Sequence, residues 1–365
     1  MTIELLFIVF LILVLAALVS NSIVAKKNWH SLMYENTGVL LVSGLYWGAC
    51  ILLIAVAGFR EIGVDPDSLA YAGYYNSPYI ALITEPTFVF ISALVKVTVN
   101  DFKYVLLVYA IISVPLKFRI IERLTEFKFL AILVFFSNYY LLHDFTQMRA
   151  AIATAIVLFM IEPLAERKLY KFLLLVLVAI LFHYSAIVLL LLIVFSNKPL
   201  NDIQKVVIGL SIPLGIALHY QGFDLFLTIP IETVKLKIET YKAMQETAET
   251  ALNVFNLVYL VKYIMLYVLL FTYEKLKDKS KYTSLLLKIY ALSLFAYLAL
   301  SQNTIVAMRV SELLGVVEII LVTSLCYLIK PRFLANLIVF IYALVYMYIN
   351  IFYVIGIGVK DVNRL

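Results

Sequence analysis

Apolar runs of about twenty residues, the length a helix needs to cross a bilayer, recur along this chain almost from end to end. In hydrocarbon every backbone N–H and C=O must be paired inside the protein, so only helices and closed barrels can span. The runs are continuous rather than alternating, which makes the expected fold all-α: a polytopic helical membrane protein. Composition agrees, with 64% of the 365 residues hydrophobic, 14% charged and a mean hydropathy of +1.01. That leaves no room for a sizeable soluble domain, and a single transmembrane domain over 1–365 is expected. The first run, Ile3 to Ala25, lacks a basic leading segment and is too long for the core of a signal sequence, so it reads as a retained span. Cys50 and Cys326 both lie in apolar segments, which argues against a disulfide framework or a thiolate metal site. The four histidines contain no His-x-x-x-His pair, so no zinc signature is present. Neither a metal nor a cofactor is expected, and nothing points to nucleic acid.

Lysine and arginine favour cytoplasmic loops. Here they cluster at Lys26 and Lys27; at Lys117, Arg119, Arg123 and Lys128; at Arg167, Lys168 and Lys171; at Lys275, Lys277, Lys279 and Lys281; and at Lys330 and Arg332. All five clusters are expected to face the cytoplasm, with the N-terminus outside. The candidate spans between them are 3–25, 37–58, 104–121, 129–144, 147–164, 204–219, 253–272, 283–304, 308–329 and 333–356. Two places refuse simple alternation. One of the stretches 79–99 and 104–121 must fall short of a full span. The segment 169–196 must leave the cytoplasm and return in fewer residues than the roughly 40 of two crossings. A broken or re-entrant pair hinged near Phe182, His183, Tyr184 and Ser185 is expected, for a total of about 11–13 transmembrane or re-entrant helices. Irregular backbone at membrane depth survives only where protein buries it or water reaches it.

On this count the unusual polar residues gather on the outer side. They are Arg60, Asp65 and Asp67 in an outer loop over 59–78, Gln147 and Arg149 at a helix start, His183, and Arg309 at the outer end of a helix. An outer polar segment, 220–252, joins them, and within it 231–251 reads as an amphipathic helix. A guanidinium cannot lose its proton to escape the bilayer, so Arg149 and Arg309 need a polar cavity, an anion or a short route to the surface. A membrane site that receives negative charge is the first expectation.

Several short signatures resemble the EpsG-like group of exopolysaccharide and O-antigen polymerases, often called Wzy-type proteins. They are the run from Phe59 through Arg60, Glu61, Ile62, Gly63 and Val64 to Asp65, followed by Tyr71, Tyr74 and Tyr75; Thr84-Glu85-Pro86; Gln147-Met148-Arg149-Ala150-Ala151-Ile152-Ala153; Phe182-His183-Tyr184-Ser185-Ala186; and Met308-Arg309. Their order and spacing over about residues 37–200 carry the likeness. In the first loop Asp65-Pro66-Asp67 replaces the family's more compact run, which leaves open which aspartate is functional. The resemblance implies a membrane glycosyltransferase with a GT-C-like arrangement in a bacterial cytoplasmic membrane. Its site would face the periplasm or cell exterior and move a glycan from undecaprenyl pyrophosphate to the terminal hydroxyl of another lipid-linked repeat unit. The implied partners are the undecaprenyl-pyrophosphate-linked oligosaccharide, membrane lipid, and chain-length regulator and flippase proteins. The competing reading is a flippase for the same lipid-linked unit.

These residues fit that chemistry. Breaking the anomeric C–O bond builds charge on the pyrophosphate, and an arginine binds phosphate oxygens through two parallel hydrogen bonds. Arg60, Gln147, Arg149 and Arg309 are the candidates. The attacking hydroxyl needs a base, for which Asp65, Asp67, Glu85 and His183 stay open. Tyr71, Tyr74 and Tyr75 can pack on sugar faces. Each has a structural competitor: an arginine can snorkel, Asp65-Pro66-Asp67 can be only a turn, Glu85-Pro86 only a helix start, and His183 only a core residue.

Overall fold

A computed structural model describes residues 3–25, 32–77, 79, 84–222 and 252–355. The described residues are helical and contain no strand. In chain order the helices are α1 (Ile3–Ala25), α2 (Leu32–Gly58), α3 (Ser68–Asn76), α4 (Pro86–Thr98), α5 (Lys103–Leu124), α6 (Lys128–Phe135), α7 (Met148–Ala165), α8 (Leu169–Phe182), α9 (Asp202–Tyr220), α10 (Leu257–Phe271), α11 (Thr283–Ala299), α12 (Thr304–Gly315), α13 (Glu318–Ser324) and α14 (Arg332–Ile349). Six of these segments are long and apolar enough to cross a membrane, and six shorter apolar helices accompany them. The chain is a multi-pass, all-α membrane protein. The outer segment expected at 220–252 lies almost wholly outside the described residues.

Both irregular places take the expected form. Helix α4 has only 13 residues, about 20 Å at 1.5 Å per residue, well short of the ~30 Å hydrocarbon core. Helix α8 stops at Phe182, and a 3-10 helix, Tyr184–Val194, follows the break at His183. Arg167, just before α8, donates from Nη1 to the carbonyls of Ile193 and Phe195 at 2.9 and 3.0 Å. The end of the second arm therefore lies beside the start of the first, and the segment is a hairpin whose arms are each about 21–22 Å long. At the break the Thr87 hydroxyl donates to the Leu181 carbonyl at 2.7 Å, satisfying one of the acceptors that a helix end leaves without an intrahelical partner.

Three expectations need correction. Lys117 is not an exposed loop charge. It sits inside α5, fully buried, with its ammonium 2.5 Å from Asp144 Oδ2. The run 308–329 is not one helix, because α12 ends at Gly315 and the chain restarts at Glu318. Arg309 consequently lies more than one turn inside α12 rather than at its beginning. The cause in each instance is that hydropathy averages over a window and is blind to a local break or a buried pair.

The chain divides into two compact units, one of residues up to 158, 181–183 and from 322 onward, the other of 159–180 and 184–321. In the first, α2 packs along α5. A Cβ added at Gly58 would lie 2.6 Å from Leu107 Cδ1 and 3.1 Å from its Cα, so the absent side chain permits this approach. Helix α6 widens into a π-helix, Phe136–Asp144, fully buried along its length. Such windings are rare and accompany functional sites. In the second unit α11 is the hub, buried on nearly every face and flanked by α9 and α12. There Gly215 permits close packing with Leu298, whose Cβ would be 2.7 Å from an added Cβ.

Candidate active site

Three segments distant in sequence meet in the first unit. The first is the start of α4. Proline at the first helical position suits the fixed φ of that turn, and the residue before it is pushed to extended backbone. Glu85 accordingly has φ −70° and ψ 151°, while its carbonyl accepts from Phe88 N at 3.0 Å. The second is the start of α7, whose first two turns bury Ala150, Ala151, Ala153 and Ala155. Small residues let neighbouring backbones come close, and Arg149 projects from the first of these turns. The third is the α8 break, which leaves His183 outside regular helix.

At the junction Arg149 Nη1 donates to Glu85 Oε2. The other carboxylate oxygen, Oε1, lies 3.5 Å from His183 Nδ1, within ionic reach. The side chains of Arg149, Glu85 and His183 are 15%, 6% and 10% exposed, so the cluster is secluded but not sealed. Arg149 is held from its flat side by Tyr71 of α3 and Phe88 of α4, with ring centres 5.0 and 5.9 Å from its guanidinium carbon. Cation–π contact of this kind favours a planar cation over an aromatic face. Tyr109 of α5 lines the same neighbourhood, packing edge-on against Phe182. Burial pushes the Glu85 carboxyl up, but the imidazole of His183 and the charge of Arg149 outweigh it and hold it at about 2. A carboxylate that acidic is a weak base, because general bases work best near the operating pH.

The other expected site residues each have a setting of their own. Arg60 is 1% exposed and its guanidinium is engaged from three sides: Nε on Asp65 Oδ2 of its own loop at 3.0 Å, Nη1 on the Ala57 carbonyl at the end of α2 at 2.6 Å, and the Phe145 ring 5.4 Å away. Asp65 uses its second oxygen to accept from Asp67 N at 3.1 Å and Ser68 N at 2.9 Å, which satisfies orphan donors at the start of α3. The pair thus builds the loop that carries Tyr71. Asp67 flanks α3 half-buried. Tyr74 packs on Tyr71 with ring centres 6.4 Å apart, and Tyr75 is covered by Phe102 and by Lys96, whose ammonium is 4.8 Å from the ring centre. Gln147 precedes α7, its carbonyl accepting from Ala151 N at 3.1 Å. Arg309 belongs to the second unit, half-buried on α12, one turn before the buried Glu312.

Two ionic groups were not legible from the sequence. In the first unit Lys117 pairs with Asp144, which also accepts from the Ser113 hydroxyl. In the second, Lys262 of α10 lies 3.5 Å from Glu318, the first residue of α13. The available signal was an ionisable residue inside an apolar run, since such residues in a membrane almost always pair. Among the described residues no group of three or more His, Cys, Asp or Glu is placed to hold a metal ion.

No curated protein and no solved structure matches the chain. The model of the EpsG family matches residues 45–362, a span that includes α3, the α4 start, the first turn of α7 and the α8 break. Such a match supports a function of the polysaccharide-polymerase type, and by it the chain belongs to the EpsG family.

Proposed function

We propose that this protein is a lipid-linked repeat-unit polymerase, and that Arg149, Glu85 and His183 form its reaction centre. The donor is a glycan on undecaprenyl pyrophosphate, and the acceptor is the terminal hydroxyl of a second lipid-linked unit at the extracytoplasmic face. One observation carries the reading: a partly accessible arginine, a carboxylate and a histidine arrive from three separate segments at a broken membrane hairpin. A structural ion pair has no need of the third member or of the access.

In this mechanism the Arg149 fork takes the pyrophosphate oxygens, and its grip strengthens as the anomeric C–O bond breaks and the electron pair passes to the phosphate oxygen. The acceptor oxygen attacks the anomeric carbon and its proton goes to His183 Nε2. Glu85 faces the other ring nitrogen, where a carboxylate orients the imidazole and stabilises the imidazolium that forms. The 3.5 Å separation is long for a hydrogen bond, and such contacts tighten on substrate binding. Tyr71 keeps the guanidinium plane in position, and Arg60 with Asp65 holds the loop that presents Tyr71.

The test is incubation of the purified protein with lipid-linked repeat unit. A ladder of longer products with release of undecaprenyl pyrophosphate is expected. Translocation of the unit across a bilayer without elongation would make the protein a flippase instead.

A further inference from the structure

In the structure the guanidinium assigned to the pyrophosphate already holds an anion, since Glu85 Oε2 occupies Arg149 Nη1. We propose that Glu85 is a placeholder: it fills the Arg149 fork until a diphosphate displaces it, and it returns to the fork to expel the spent diphosphate after transfer. This rests on reading Arg149 as the diphosphate-binding group.

Four features of the geometry support an exchange rather than a permanent pair. A carboxylate and a phosphate compete for the same planar fork, because both accept the parallel N–H bonds it offers. Arg149 does not depend on Glu85 for its position, since the Tyr71 and Phe88 rings cover its face at 5.0 and 5.9 Å. Glu85 has a second partner in place, His183 Nδ1 at 3.5 Å from its other oxygen. A carboxylate released from Arg149 is therefore not stranded, an outcome that would otherwise be strongly unfavourable in a buried place. Finally, the Glu85 backbone is anchored by Pro86 and by the Phe88 and Val89 amides on its carbonyl, at 3.0 and 3.2 Å, so the exchange is confined to the side chain.

The exchange couples two steps. Diphosphate arriving at Arg149 hands Glu85 wholly to His183, which makes the imidazole a better proton acceptor only when donor is present. After transfer, Glu85 competes for Arg149 and shortens the stay of the leaving diphosphate, a step that often limits turnover in enzymes.

The experiment measures inhibition of elongation by inorganic pyrophosphate, and its direct binding, for the purified full-length protein and three variants. Glu85→Gln is expected to bind pyrophosphate at least about tenfold more tightly, as one charged competitor for the fork is lost. Its donor KM should fall together with kcat as product release slows. Glu85→Asp keeps the charge but withdraws the carboxylate by one methylene, and a smaller tightening of about threefold is expected from the weakened contact. It also carries the test should Glu85→Gln fail to fold. Unchanged or weaker pyrophosphate affinity in the Glu85 variants overturns the placeholder role, and tightening in Glu85→Gln with none in Glu85→Asp reduces it to loss of net charge. Arg149→Ala, which the proposed role leaves without elongation to inhibit, is read by direct binding alone and is expected to lose pyrophosphate affinity. If wild-type binding survives there, the assignment of Arg149 itself falls, whatever Glu85 does.

Discussion

Among the described residues the first unit contains three buried cation–carboxylate pairs, Arg60–Asp65, Lys117–Asp144 and Arg149–Glu85, and the last two, each joining segments distant in sequence, are built for different purposes. Lys117 and Asp144 are fully enclosed, with side chains 0% exposed, the ammonium over the Phe135 ring at 5.2 Å and the carboxylate also accepting from Ser113. Arg149 and Glu85 keep 15% and 6% exposure, and the carboxylate leans on a histidine at a helix break. A compact, closed ammonium pair satisfies its own charges and joins α5 to the π-helix. A planar guanidinium with an open edge has hydrogen-bonding capacity left for something that arrives. Burial of charge is common to both, and access together with a third, titratable partner separates the reactive pair from the structural one.

The comparison can be broken at several points. Arg149→Lys keeps a cation for Glu85 but loses the fork, so elongation per folded molecule is expected to drop by about 10² to 10³ with the melting temperature unchanged, as when one oxyanion donor is removed. Wild-type chain lengths in that variant would put the arginine in the same class as Lys117. His183→Gln retains a polar side chain without the proton-accepting chemistry, and a fall in kcat of about 10² is expected for loss of a general base. A kcat within a few-fold of wild type would leave the base among the acidic residues, with Asp67 next. Lys117→Met acts on folding instead. Removing one partner strands the Asp144 carboxylate, at about 3–5 kcal/mol, while Lys117→Met with Asp144→Leu should recover most of the melting temperature. A double variant that folds normally yet fails to elongate would show that the enclosed pair takes part in the reaction.

The smallest effect concerns pH. The folded Glu85 carboxyl is held at about 2, below its unfolded value of about 4.3. A depressed carboxylate contributes stability that is fully present above the unfolded value and disappears as pH falls through the folded one. The difference in melting temperature between wild type and Glu85→Gln should therefore be constant from about pH 8 to 5 and shrink only below about pH 4. A difference that changes between pH 6 and 8 would mean that the pair follows the titration of His183.

Much of this was legible before any coordinates. The alternation of basic clusters required one short segment before Lys117 and one hairpin within 169–196, and both occur, at α4 and around His183. Those inferences work because bilayer thickness and side preference are global constraints that a sequence must obey. What was not legible is which residues share a point in space. Arg149 and Glu85 are 64 positions apart and Lys117 and Asp144 are 27 apart, and nothing in hydropathy tells a lysine at a membrane edge from one aimed at a carboxylate. The same limit hid the restart at Glu318, since Val316 and Val317 are as apolar as the helices on either side. It also left Arg60 beside Arg149 as an equal candidate, though its guanidinium bonds to Asp65 in its own loop and to the Ala57 carbonyl at the end of α2.

The central claim is that the open pair does chemistry and the closed pair does not. The most direct measurement is the elongation rate per folded molecule, taken side by side for Arg149→Lys and for the Lys117→Met, Asp144→Leu double variant in the same purified assay. A folded, nearly inactive first protein and a folded, active second one are predicted. An active Arg149→Lys protein beside an inactive double variant would contradict the claim.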